Sequence, residues 1–269
     1  MSETPDVPVT CEMVTARDGT RLAVHRMEPA HGRGGGQGWP LVLLHGLFSS
    51  AEVNWIKFGH ARQLAEAGFS LFMPDLRAHA HSEAPHDPAC YPPSILVQDL
   101  EDVLDHYGIG ADGAQYDLAG FSLGSRTALG GVIAGLTPRR LALVGMGLDG
   151  LLDFRRRAGF FIDAIDNFDT AKRGDRHFFA IAFMKTQKID RVAARLLLSA
   201  SGLGIQPEQL AIPQMPILVL CGTEDDDNGS ADALAEALPN AHVAWIPGTH
   251  MSSVTEKALG RELVKFFTD

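Results

Sequence analysis

The sequence predicts an α/β fold built around one mostly parallel sheet covered by helices on both faces. Three observations carry this. Short, wholly apolar runs recur along the chain. Helical patterns stand between them, and strand–helix alternation is the mark of parallel order. Runs apolar on both sides suit a sheet with both faces buried, and 269 residues at 45% hydrophobic content suffice for such a core.

Taken in order, Cys11–Ala16 and Thr20–Met27 flank Asp18-Gly19, a hairpin signal. His31–Gly38, H-G-R-G-G-G-Q-G, reads as a flexible loop and not a phosphate cradle, because it precedes a strand and opens no helix. Strands are expected at Pro40–Leu44, Phe69–Met73, Tyr116–Ala119, Leu141–Gly145, Pro216–Leu220 and His242–Ile246. Helices are expected at Ala61–Ala67, Ser94–Tyr107, Leu123–Ala134, Ala231–Leu238 and Ser252–Phe267. The alternation breaks between Leu148 and Pro213. That segment holds seven of the fourteen phenylalanines: Phe154, Phe160, Phe161, Phe168, Phe178, Phe179 and Phe183. It reads as a helical insertion over the sheet, dividing the chain into core 1–147, insertion 148–213 and core 214–269. Its rings are expected mainly to pack the insertion onto the core, some also lining an apolar pocket. Arg155–Arg157 reads as a solvated helix face, with a substrate carboxylate as the other reading.

The formal net charge is −10 and the pI about 5.5. An acidic surface repels phosphate backbones and anionic lipid, so neither nucleic acid nor membrane is expected as a partner. Cys11, Cys90 and Cys221 are odd in number and widely spaced, against a disulfide framework or a zinc knuckle and for a reducing compartment. Met1–Val9 has no basic or apolar leader pattern, and no apolar run reaches membrane-span length. A cytoplasmic protein acting on a small molecule is expected.

The central signal is Gly120-Phe121-Ser122-Leu123-Gly124. As a bare pattern G-x-S-x-G is weak. Here an apolar strand runs into it and an Ala/Leu/Gly helix leaves it, the strand–turn–helix setting the motif needs. A serine in that turn is thrust upward, and side chains two residues to either side would clash, which Gly120 and Gly124 avoid. The helix then aims free N–H groups at a developing oxyanion. A serine hydroxyl needs a base, and the chain supplies an acid and then a histidine, each just past a strand. Gly222-Thr223-Glu224-Asp225-Asp226-Asp227 follows one, Pro247-Gly248-Thr249-His250 the next. Ser122, Asp225 and His250 are the expected catalytic set, with Asp149 in reserve for the acid. The other acids of the run read as a solvated loop. An oxyanion hole needs a second donor from the loop after Pro40–Leu44. Leu47 is expected to join Leu123 there, with His45 bracing the loop.

These pieces, L-V-L-L-H-G-L-F, P-D-L-R-A-H-A-H-S, G-F-S-L-G, G-T-E-D and P-G-T-H, resemble the α/β-hydrolase superfamily nearly end to end. H-G-L-F-S-S is similar to the segment in small acyl esterases and thioesterases. The resemblance implies an eight-stranded sheet flanked by helices, with a helical cap inserted after the sixth strand. It also implies acyl transfer without a cofactor, and a serine nucleophile disfavours the dehalogenase and epoxide hydrolase chemistries that use aspartate. Two places depart from the pattern. Ala78 and Ala80 stand where the family usually has glycine, so that loop is expected to take another path, and the glycine-rich approach to the histidine is reduced to Gly248-Thr249-His250.

Other chemistries are weaker. His79 and His81, with His86 nearby, form an H-x-H pair without the aspartate–histidine continuation of metallo-β-lactamase-like enzymes, so no metal is expected. Gly145–Gly150 and Gly108–Gly113 both match G-x-G-x-x-G, but neither opens a full dinucleotide unit. A binding protein that keeps the fold without catalysis is a further alternative. The preferred reading is a serine hydrolase of an ester bond in a small apolar or aromatic substrate. Lactone, thioester and carbon–carbon cleavage are open to the same three residues.

Overall fold

The computed structural model describes residues 7–29, 38–200 and 204–269. Residues 31–37, most of the glycine-rich stretch, lie outside them.

Eight strands form one sheet. β1 (Val9–Thr15) and β2 (Arg21–Met27) make the hairpin about Asp18-Gly19. β3 (Pro40–Leu44), β4 (Ser70–Pro74), β5 (Asp117–Phe121), β6 (Leu141–Val144), β7 (Ile217–Gly222) and β8 (Ala241–Ile246) form on the six apolar runs. The order is β1-β2-β4-β3-β5-β6-β7-β8, antiparallel at β1/β2 and β2/β4 and parallel from β4 onward. Because β3 lies between β4 and β5, the winding reverses there and opens a crevice at the strands' carboxyl ends.

Alternate side chains serve two separate cores. On β3, β6 and β7, Val42, Leu44, Leu141, Leu143, Ile217 and Val219 enter one cluster. Leu41, Leu43, Ala142, Val144, Leu218 and Leu220 enter the other. The second is closed by α1 (His60–Glu66) and by the last helix of the chain, the first by α2 (Ile95–Tyr107) and α3 (Leu123–Ala134). Between β6 and β7 run only helices and turns among the described residues. They are α4 (Leu148–Leu152), α5 (Phe154–Asp166), α6 (Phe178–Thr186) and α7 (Arg191–Ala200). α8 (Ala231–Ala237) and α9 (Lys257–Thr268) complete the core. The expected terminal helix is shorter at its start, since Ser253–Thr255 is a separate 3-10 turn. Among the described residues no helix is long and apolar enough to cross a membrane.

The loop after β4 departs from expectation. Ala78 and Ala80 do not divert it; they take φ values of 66° and 46°, the left-handed backbone that glycine would supply. Local hydrogen bonds outweigh the steric cost. Ala78 N–H donates to Glu83 O at 3.0 Å, Ser82 N–H to His79 O at 3.0 Å, and Ser82 Oγ–H to Asp75 O. Arg77 anchors the same loop with a side chain fully out of solvent. It donates to both oxygens of Asp99 on α2, at 2.9 and 2.6 Å, and to Thr20 Oγ1 at 2.9 Å. It also pairs with Asp18 of the hairpin turn, holding that carboxyl down to about 2. The depressed value keeps the Asp18 tie intact at neutral pH; the tie is lost only as pH falls through that value.

Arg77→Ala should lower unfolding free energy by about 3–5 kcal/mol in urea titration, because it strands the buried Asp99 carboxyl. Ala80→Gly should raise it by about 0.5–1 kcal/mol: relief of the left-handed cost exceeds glycine's entropy, and the Ala80 methyl is exposed.

Candidate active site

Ser122 occupies the turn between β5 and α3 with φ 53° and ψ −108°, a sparsely populated conformation costing about 1–3 kcal/mol. Its N–H donates to Val144 O on β6 at 2.8 Å. Ser125 Oγ straps the turn from below, 2.6 Å from Gly120 O and 2.8 Å from Val144 O. The two flanking glycines are sterically required. A Cβ on Gly120 would lie 2.1 Å from the Gly124 carbonyl carbon, and one on Gly124 would lie 2.3 Å from Leu44 O.

The turn brings Ser122 Oγ within 3.1 Å of His250 Nε2. His250 Nδ1 lies 2.9 and 3.1 Å from the two oxygens of Asp225. Asp225 accepts, so Nδ1 carries the proton and Nε2 is left to accept from the serine hydroxyl. Their side chains are 9% and 2% exposed, which leaves the imidazole–carboxylate pair largely shielded from water. Of the four consecutive acids only Asp225 reaches the ring; Glu224, Asp226 and Asp227 are exposed. Asp149 lies in the cavity wall, with no hydrogen bond to His250 among the described residues.

Leu47 and Leu123 both border the space in front of Ser122. Among the described residues neither N–H is given to a protein acceptor, so both are available to a ligand. His45 braces this loop. Its Nδ1–H donates to Gly46 O at 2.8 Å while Nε2 accepts from Leu76 N–H at 2.8 Å. That pairing requires one neutral tautomer, and complete burial pushes the imidazole pKa down, favouring the same state. Gly46 N–H in turn donates to Asn54 Oδ1 at 3.0 Å.

A cavity of about 1010 Å³ opens above these groups. Phe154, Phe160, Phe161, Phe179 and Phe183 line it, while Phe154, Phe161, Phe168 and Phe183 pack against the core, so three of the seven insertion rings do both. Sequence periodicity could not assign them, because the ring faces are set by how the helices dock. Arg157 turns inward from the arginine run and pairs with Asp227. Arg155 and Arg156 stay exposed, Arg156 on Asp153 at 2.7 Å. Arg126, one helical turn after Ser122, lies 4.2 Å over the Phe154 ring, and burial lowers its guanidinium to about 10.

The histidines weighed as metal ligands do not converge. His79 is buried against Arg77 O, His86 pairs with Asp190 at 2.8 Å, and His81 turns to Asp75. A different group does converge, His25, Asp75 and His81. Sequence reading missed it because His25 lies on β2, far from the H-x-H string. The G-x-G-x-x-G match at Gly145–Gly150 is filled by the chain itself, since a Cβ on Gly147 would meet Gly229 O at 2.1 Å.

The sequence model of a family described as the Alpha/beta hydrolase family matches residues 41–258. Solved structures share the fold. An esterase from Rhodococcus sp. is 23% identical with a TM-score of 0.68, covering 96% of this chain and 98% of its own. The enol-lactonase from Burkholderia xenovorans is 20% identical with a TM-score of 0.70, covering 96% and 100%. A 2-hydroxy-6-oxo-6-phenylhexa-2,4-dienoate hydrolase from Rhodococcus sp. is 19% identical with a TM-score of 0.68, covering 98% and 100%. No curated protein sequence matches the chain.

The interlock at the turn can be tested directly. Gly124→Ala should destabilise the protein by about 1–3 kcal/mol in urea titration, since its methyl meets backbone that has no rotamer to yield.

Proposed function

Because the chain belongs to the alpha/beta hydrolase family, we propose that it is a serine hydrolase cleaving an ester-type bond of a small apolar or aromatic substrate through an acyl-enzyme. The unbroken relay Asp225–His250–Ser122 carries this reading. Ser122 Oγ attacks the carbonyl carbon while His250 Nε2 takes its proton. The N–H groups of Leu47 and Leu123 receive the oxyanion. Asp225 holds the tautomer and stabilises the imidazolium. His250 then protonates the leaving oxygen, and water, deprotonated by the same nitrogen, releases the acyl group. No cofactor enters. Residues 148–213 act as a cap whose rings enclose the substrate, between core segments 1–147 and 214–269.

The chemistry of the cap supports an apolar substrate. Five of its rings line the wall, and Arg157 and Arg176 there are paired with Asp227 and Asp163. Each methylene buried is worth about 0.8 kcal/mol, or roughly fourfold in kcat/KM, until the cavity is full.

Hydrolysis of a p-nitrophenyl ester series should therefore rise with chain length and then stop rising. Ser122→Ala should cut kcat by roughly 10⁴–10⁶-fold, and Asp225→Asn by about 10⁴-fold through the wrong tautomer. Equal rates in wild type and Ser122→Ala would remove the serine from the mechanism. Turnover of lactones but not of the esters would move the assignment to lactonase on the same three residues. Turnover of neither would favour carbon–carbon cleavage or simple binding.

A further inference from the structure

Behind the oxyanion loop, outside the cavity lining, three side chains from separate parts of the chain aim at one point. His25 Nε2 on β2 lies 3.1 Å from Asp75 Oδ2, and His81 Nδ1 lies 3.0 Å from the same oxygen. All three ligand atoms fall within 4.8 Å of one another. The rings meet edge-on, with centroids 5.5 Å apart at 65°.

The spacing is that of ligands round a small ion. Metal–ligand bonds near 2.0–2.1 Å place tetrahedral ligand atoms about 3.3 Å apart. Two of the edges here are slightly shorter, so a modest opening would seat the ion. The donor set is selective: two imidazoles suit zinc and its neighbours, while magnesium and calcium prefer oxygen alone. The surroundings fix the carboxylate. Asp75 Oδ1 accepts Ala51 N–H at 2.9 Å, and the side chain is wholly out of solvent. His25 is 10% exposed, whereas His81 is 66% exposed, which leaves a way in from water.

We propose that His25, Asp75 and His81 form a site for a divalent transition-metal ion of the zinc type, structural in role. Each imidazole would coordinate through the nitrogen that now faces Asp75 and carry its proton on the other. The ion would staple β2 to the loop 75–82, whose alanines hold left-handed backbone, and would rigidify the Asp75–Ala51 contact behind Leu47. The site stands apart from Ser122 and does not rest on the ester-hydrolase reading.

Chelator-treated full-length protein should be titrated with zinc chloride by calorimetry at neutral pH, beside His81→Ala. The exposed His81 ring makes that variant safe for folding, which circular dichroism would check. The expected result is one saturable site per chain, weakened at least ~100-fold by the substitution. Saturating zinc should also raise Tm by roughly 5 °C in wild type and leave the variant unmoved. No saturable site, or equal affinity in both proteins, would overturn the assignment whatever the esterase assay shows.

Discussion

The architecture turns on the backbone at Ser122. A non-glycine residue with φ 53° and ψ −108° is not a local preference; it persists because neighbours over-determine it. Val144 O holds its N–H, and Ser125 straps Gly120 O to Val144 O. The absent side chain at Gly124 lets α3 press against Leu44 and His45. That contact joins the turn to the β3 exit and sets Gly46 and Leu47 beside the serine. A second interlock works on the other flank. A Cβ on Gly222 would sit 2.2 Å from Gly248 O, so the exits of β7 and β8 touch, and the acid and imidazole they carry meet. The constellation is therefore positioned by main chain, with side chains as its payload.

This explains how much was legible beforehand. Ser122, Asp225 and His250 were readable because each sits directly past a strand and the sheet places strand exits side by side. Asp225 was separable from its three acidic neighbours only by its place in that turn; among the described residues it is the one of the four that hydrogen-bonds His250. Two kinds of feature were hidden. One depends on long-range pairing: His25 meets Asp75 only because β2 pairs antiparallel with β4, in a register that sets His25 against Met73. The other depends on competition between local cost and local bonding. Ala78 and Ala80 look incompatible with a glycine path, yet hydrogen bonds within residues 75–83 hold them in it. No sequence pattern weighs those energies.

The insertion shows the same limit from the other side. A helical insertion with some rings lining a pocket was expected, but not which rings. α5 carries exposed acids on one face, and Asp163 and Asp166 pair with Arg176 and Arg195 at 2.7 and 3.1 Å. Such surface pairs contribute little net stability. Asp163 and Arg176 share the cavity lining with Phe160 and Phe161, which pack edge to face at 5.2 Å. Phe161 in turn meets Phe48 at 5.4 Å, edge to face.

Phe48 follows Leu47 and itself has φ 59°, so the ring contact reaches directly into the loop that carries Leu47. Two supports thus hold that loop in place. From beneath, His45 pins it through one neutral tautomer; from above, Phe161 covers it. On the acyl-transfer reading proposed above, shape recognition in the cavity and charge stabilisation at the carbonyl would share the Phe48–Phe161 contact. On that reading the rings above the serine, and not the three polar residues alone, would govern which acyl groups the site processes.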